Sequence, residues 1–190
     1  MEKQPLVGCI IFIILFLMLQ FSIRAQDLQT LDEDNGYRIF QIGTKLEKLQ
    51  DSLQPLNLNN STTTAYKFIG SDTSFQNIAG VRPFVIHVLF DFSNNLVSLN
   101  AYLFLSNNSK NFEKRTDQMF SMLQKYFLDR YGSDFTTSKF DGDNTSSGSA
   151  GFIWQTEKVT FSLNMLTGIN AEWRRIDVAY TKTGFFKDGD

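Results

Sequence analysis

Two runs of apolar, β-branched and aromatic residues flank the dipeptide Asn94-Asn95, and together they constrain the fold of this chain more than any other stretch. Residues of these types favour β-strands. Asparagine tolerates the positive φ that a two-residue hairpin turn requires. Residues 83–105 therefore predict a β-hairpin that turns at Asn94 and Asn95.

The side chains of this hairpin also predict its register. If Asn94 and Asn95 form the turn, one face pairs only apolar residues: Phe92 with Val97, Phe90 with Leu99, Val88 with Ala101, Ile86 with Leu103 and Phe84 with Leu105. A slip of one residue would place Phe90 against Ser98 and move one strand's apolar set to the other face. We therefore expect the all-apolar register, with the mixed side chains of the hairpin on the opposite face.

The first 25 residues have the pattern of a signal peptide. An apolar run at residues 6–19 follows Lys3, and it is shorter than the about 20 residues that a membrane span needs. The small residue Ala25 marks the expected cleavage site. We expect an exported protein, periplasmic or extracellular, without a membrane span after cleavage. Retention of the segment as a signal anchor is the alternative.

Composition limits the chemistry of the remaining chain. Cleavage after Ala25 removes Cys9, the single cysteine, so neither thiol chemistry nor a disulfide is expected in the mature protein. Cleavage also moves the formal net charge from −2 to −3, and no basic block stands out, so nucleic acid is not an expected partner. His87 is the only histidine, which argues against a zinc site, and we predict no metal and no cofactor.

The mature chain has a length typical of one domain. Residues 26–36 are acidic and polar without periodicity, and we expect them to form a flexible lead-in. The domain itself is expected at residues 37–183, and residues 184–190 are expected to form a polar tail.

Two helices and one long loop are predicted inside this domain. Thr44 and Glu47 match a capping box, which predicts a short helix over residues 44–53. Residues 112–131 repeat apolar side chains at helical spacing and predict a longer helix. Residues 136–151 are rich in Ser, Thr, Gly and Asp, and we expect them to form a mobile loop.

The other strands complete an α+β fold. A second hairpin is predicted with its turn at residues 157–158, which pairs Trp154 with Phe161 and Phe152 with Leu163. The remaining strands are expected at residues 37–42, 65–69, 75–81 and 173–180. The expected order is α-β-β-β(-β)-α-β-β-β, in a six- to seven-stranded antiparallel sheet with two helices packed on one face.

The sheet face opposite the helices holds the candidate site. Its outward side chains are predicted to be Val85, His87, Leu89, Asn100, Tyr102, Phe104, Trp173 and Arg175. Exposed apolar surface that includes Tyr, Trp and Arg is typical of recognition sites. The predicted binding residues are His87, Tyr102, Phe104, Trp173 and Arg175, and none is predicted to be catalytic. The alternative is that the chain's own segments cover this face.

A short motif carries a resemblance to known proteins. The stretch Phe40-Gln41-Ile42-Gly43-Thr44-Lys45, followed by a short helix, resembles the opening of small envelope domains of the BamE-like outer-membrane assembly type. The tandem order of elements is similar to that of the β-lactamase inhibitor protein family. The chain departs from both, because it lacks the former's anchoring cysteine in the matching place and the latter's disulfides. The resemblance implies protein binding without catalytic residues.

Three functions remain open from the sequence. The first is an exported binding module that recognises a protein or another ligand, with a protein of the cell envelope as the expected partner. The second is an enzyme with a spatially assembled acidic site, and the third is a structural envelope protein without a ligand.

Overall fold

A computed structural model describes residues 28–57, 62–70, 77–106, 111–140, 146–168 and 173–186. The predicted signal peptide lies outside these residues, as do positions 187–190 of the predicted tail. Within the described ranges, no helix combines the length and the hydropathy that a transmembrane passage requires.

The α+β prediction is confirmed. A small sheet pairs β1 (Gly36–Tyr37) with β2 (Phe40–Gln41). The main sheet contains β3 (Leu53–Pro55), β4 (Thr63–Phe68), β5 (Val85–Asp91), β6 (Leu96–Ser106), β7 (Thr136–Phe140), β8 (Ser146–Gln155), β9 (Val159–Gly168) and β10 (Trp173–Lys182). Its strands are antiparallel and follow the order β3-β4-β5-β6-β10-β9-β8-β7. One helix, α1, covers residues 28–34, and the other, α2, is Phe112–Tyr131.

The central hairpin is confirmed, but its predicted register is wrong by two residues. Val88 faces Leu99 and Ile86 faces Ala101, and the register then shifts so that Phe90 faces Leu96. A shift of two residues leaves the side chains of residues 85–89 and 98–102 on their expected face. Accordingly, Ile86, Val88, Phe90, Leu99, Ala101 and Leu103 are all buried.

Asp91 explains the shift, because its carboxylate organises a longer turn than the sequence predicts. Its Oδ1 accepts the backbone N–H groups of Ser93 and Asn95, both at 2.9 Å. Asn94 takes the positive φ, 57°. The turn therefore includes Phe92, which is 77% exposed instead of pairing with Val97. Phe84, at the other end of the predicted ladder, is also 77% exposed.

The predicted first helix is wrong. Residues 44–53 contain two 3-10 turns, Leu46–Lys48 and Gln50–Ser52, and no side chain caps either of them. The backbone before the first turn instead bonds to the central hairpin, since the Gly43 N–H donates to the Leu96 carbonyl at 2.7 Å. A helix this short gains too little from its own hydrogen bonds to compete with such tertiary contacts.

Residues 28–34 of the expected flexible lead-in form the helix α1. Leu31 is fully buried in the core and anchors this helix. A single buried leucine among acidic residues leaves too weak a periodicity for recognition from sequence.

The expected mobile loop at residues 136–151 contains β7 and the first part of β8, with residues 141–145 outside the described ranges. Polar residues can form these strands because the hydrogen bonds between strands come from backbone groups. β7 also lies at one edge of the sheet, where apolar side chains are not required. The strand predicted at residues 75–81 does not form in the described residues 77–81, which contain only an isolated bridge between Ile78 and Val81. The main sheet has eight strands because β3 and β7, which were not predicted, join the six predicted strands β4, β5, β6, β8, β9 and β10.

The second hairpin has the predicted register. Trp154 faces Phe161 and Phe152 faces Leu163, as expected. The helix α2 has the predicted bounds.

Both helices pack on one face of the sheet. Phe161 occupies the centre of an aromatic core, with its ring centroid 4.4 Å from Phe127 of α2, 4.7 Å from Tyr180 and 5.4 Å from Trp154. Tyr131 joins the core from the end of α2, and Leu31 joins it from α1. The opposite face is left to the side chains that alternate with this core.

Candidate functional site

The predicted site residues meet on the sheet face opposite the helices. The strands β5, β6 and β10 are neighbours in the sheet. Val85 of β5 faces Tyr102 of β6, and Tyr102 faces Asp177 of β10 on its other side. The rings of His87 and Tyr102 are in edge-to-face contact, with centroids 5.2 Å apart. Arg175 completes the contact from β10, since its guanidinium carbon lies 4.8 Å from the Tyr102 centroid.

Asp177 holds Arg175 in this position. The Nε and Nη2 groups of Arg175 donate to Oδ1 and Oδ2 of Asp177 at 2.6 and 2.8 Å. Such a two-point bond fixes the plane of the guanidinium as well as its position. We refer to His87, Tyr102, Trp173, Arg175 and Asp177 as the open-face cluster.

Trp173 belongs to the cluster through its strand and its face. It lies two residues before Arg175 on β10, so the pleat directs both side chains to the same face. Its indole packs on Gly168 of β9, where a Cβ would overlap the ring atoms. The glycine therefore allows the indole to lie close to the sheet.

Phe104 is placed by its backbone alone, which pairs with Arg175. Its side chain lies outside the described part of the structure. The cluster does not extend over the whole face, because Thr63, Ala65 and Ser98 toward the hairpin turn are buried. His87, Tyr102, Trp173 and Arg175 are each half-buried.

The electrostatics of the cluster follow from this partial burial. Burial raises the pKa of Asp177 above its usual 3.8, and the hydrogen bonds and charge of Arg175 offset only part of that rise. Burial and the charge of Asp177 raise the pKa of Tyr102. Burial, followed by the charges of Lys67 and Arg175, lowers the pKa of His87 below 6.5, which favours the neutral imidazole near neutral pH.

Asp177 was not among the residues predicted to bind, although the sequence contained a signal for it. Residues two apart on a strand share a face, so Arg175 and Asp177 could have been paired from their spacing alone. Lys67, which faces His87 across β4 and β5, could not be found in this way because the pairing joins distant segments.

A second group of polar residues lies on the helix side of the sheet. A cleft of 370 Å³ is bordered by the end of α1, the β1–β2 turn and α2. Asp34 accepts from Arg130 Nε and Nη2 at 2.6 and 2.5 Å and from the Tyr131 hydroxyl at 2.9 Å. Both carboxylate oxygens are thus occupied. This arrangement suits Asp34 to holding its neighbours in place.

No protein-family model, curated protein or solved structure matches this chain. The resemblance drawn from residues 40–45 therefore stays a prediction.

Proposed function

We propose that this protein is an exported, non-catalytic binding module that recognises a protein partner through the open-face cluster. The observation that carries the proposal is the guanidinium of Arg175, stacked on Tyr102 and held there by Asp177. Tyrosine, tryptophan and arginine are the residues that most often contribute large shares of binding energy in protein interfaces.

The unfavourable burial of the Asp177 carboxylate supports a role of the open-face cluster in recognition. Burial makes ionisation of Asp177 less favourable, whereas the neighbouring outward positions Asn100 and Thr181 hold polar side chains that carry no charge. The contacts also order the Arg175 and Tyr102 side chains before a partner arrives. Side chains ordered in advance lose less conformational entropy on binding.

The charge of the surface indicates which partner would fit. Lys67 and Arg175 outweigh Asp177, and the shift of His87 favours its neutral form. A partner that presents a carboxylate beside an aromatic or aliphatic side chain would complement this surface, because Arg binds carboxylates through two hydrogen bonds and also stacks on planar groups. Export is supported by the signal-peptide pattern of residues 1–25.

Site-directed photo-crosslinking in the native host tests the proposal. A photoreactive residue at position 85 reports on the open face, since Val85 faces Tyr102. A matched probe at position 84 is 77% exposed and points to the other side of the strand. We expect a discrete protein adduct from position 85 and none from position 84.

Two substitutions complete the test. Trp173→Ala and Tyr102→Ala should each remove the adduct at position 85, whereas Phe92→Ala, which truncates an exposed aromatic outside the cluster, should retain it. Equal adducts from positions 84 and 85, no adduct at position 85, or an adduct that survives both cluster substitutions would overturn the proposal.

A further inference from the structure

The cleft between the two helices and the small sheet has the properties of a separate ligand site. Its volume of 370 Å³ falls within the range of small-molecule pockets. It lies on the helix side of the main sheet and shares no residue with the open-face cluster. A ligand in this cleft would therefore contact none of the residues proposed to bind the protein partner.

The floor of the cleft is a fixed chain of hydrogen bonds. The Tyr131 hydroxyl donates to Asp34, so the Tyr180 hydroxyl, 2.9 Å away, must be the donor to Tyr131. Arg130 completes the set through its two bonds to Asp34. Burial raises the pKa of Tyr131 and of Tyr180, so both phenols keep their protons and the directions of these bonds are constant. The floor is thus polar and rigid.

The walls of the cleft carry balanced charge. Glu33 and Asp34 supply two carboxylates, and Arg38 and Arg130 supply two guanidinium groups. An anion would meet both carboxylates, and a cation would meet both guanidinium groups. This balance disfavours a charged ligand and favours a neutral polar one.

Three groups on the walls remain available for a ligand. Arg130 binds Asp34 through Nε and Nη2, which leaves its Nη1 group for a ligand, and the exposed side chains of Gln41 and Tyr126 add an amide and a hydroxyl. Amide and guanidinium groups are planar, with donors or acceptors spaced to meet two adjacent polar atoms. The Tyr126 ring, 39% exposed, adds an apolar surface beside them.

We infer that this cleft binds a neutral carbohydrate of one or two sugar rings. Adjacent sugar hydroxyls both donate and accept, which matches the mixture of amide, guanidinium and carboxylate groups on the walls. The C–H face of a sugar ring packs on an aromatic side chain, and Tyr126 provides one. A carbohydrate therefore uses every kind of group that the cleft presents.

Ligand-observed saturation-transfer NMR on the full chain tests this inference. The probes are glucose, galactose, N-acetylglucosamine and maltose, with acetate and ethylammonium as charged comparisons. We expect transfer to at least one sugar with a dissociation constant on the order of 1 mM. Gln41→Ala and Tyr126→Ala should each weaken that binding about tenfold, which corresponds to about 1.4 kcal/mol.

Two controls separate this inference from the open-face proposal and from loss of folding. Lys114→Ala, at an exposed position near the start of α2, should leave sugar binding unchanged. Trp173→Ala should also leave it unchanged. Binding of no sugar up to about 20 mM, or tighter binding of acetate or ethylammonium than of any sugar, would overturn the inference. So would sugar affinities in Gln41→Ala and Tyr126→Ala that equal that of the unsubstituted protein.

Discussion

The guanidinium carbon of Arg175 lies 4.8 Å from the centre of the Tyr102 ring, across two neighbouring strands of the main sheet. A cation over an aromatic face is attracted by the electron density of the ring, more strongly where water is partly excluded. Asp177 fixes the other side of the same guanidinium. The contact therefore joins two neighbouring residues of β10 to Tyr102 of β6, which no local stretch of sequence brings to them.

The pKa of Asp177 provides the first prediction. Burial raises it above 3.8, and Arg175 is the neighbour that lowers it. Arg175→Ala should therefore raise the pKa of Asp177 further, as measured by carboxyl carbon NMR titration. Arg174→Ala is the matched control, because Arg174 bonds to Asp117 of α2 at 2.7 Å on the other face. A pKa of Asp177 that is unchanged in Arg175→Ala would contradict the proposed coupling.

The same pKa sets the sign of a pH effect on stability. Because folding raises the pKa of Asp177, the folded state binds this proton more readily than the unfolded state does. Its contribution to the free energy of unfolding is greatest below pH 3.8 and is lost as the pH rises through the folded-state value. Asp177→Asn should remove this dependence from urea-unfolding curves recorded across that window.

The packing of Trp173 on Gly168 provides the second prediction. A Cβ at position 168 would overlap the indole, so Gly168→Ala should destabilise the protein by about 1–3 kcal/mol. In a Trp173→Ala background the same substitution should cost less than about 0.5 kcal/mol. A double-mutant cycle of urea unfolding measures the difference. Equal costs in both backgrounds would show that the indole does not occupy this position.

Asp34 provides the third prediction, because it joins α1 to α2 through Arg130 and Tyr131. Asp34→Ala removes a charged acceptor and leaves the Tyr131 hydroxyl without it, so we expect a loss of about 1.5–3 kcal/mol in the free energy of unfolding. The matched control is Glu33→Ala, whose carboxylate makes an exposed bond with Gln29. Glu33→Ala should change stability by less than about 0.5 kcal/mol. Similar losses in both variants would argue against the Asp34 network.

Two phenylalanines, one buried and one exposed, provide the fourth prediction. Phe161 is fully buried among aromatic rings, and Phe161→Ala should cost about 3–5 kcal/mol. Phe92, in the turn after β5, is 77% exposed, and Phe92→Ala should cost less than about 0.5 kcal/mol. Chemical denaturation of the two variants measures both values. A large cost at Phe92 would restore the hairpin register in which it pairs with Val97.

The two hairpins differ in how well the sequence predicts their register. The register of β8 and β9 was predicted residue by residue, because a short turn at residues 157–158 leaves one pairing that aligns Trp154 with Phe161. The register of β5 and β6 was wrong by two residues, because the Asp91 side chain stabilises a longer turn. The bulge after Leu89 belongs to the same rearrangement.

The sequence by itself determined the elements whose periodicity is local: α2, the strands of both hairpins and the face on which each of their side chains lies. It placed His87, Tyr102, Trp173 and Arg175 on one face before any contact between them was known. The tertiary structure decided which strands are neighbours, and hence the stacking of Arg175 on Tyr102 and the meeting of Asp34 with Arg130. It also decided the secondary structure of residues 28–34, 44–53 and 136–151. Their own patterns were weak, so hydrogen bonds and burial against distant segments contributed more free energy than local preference did.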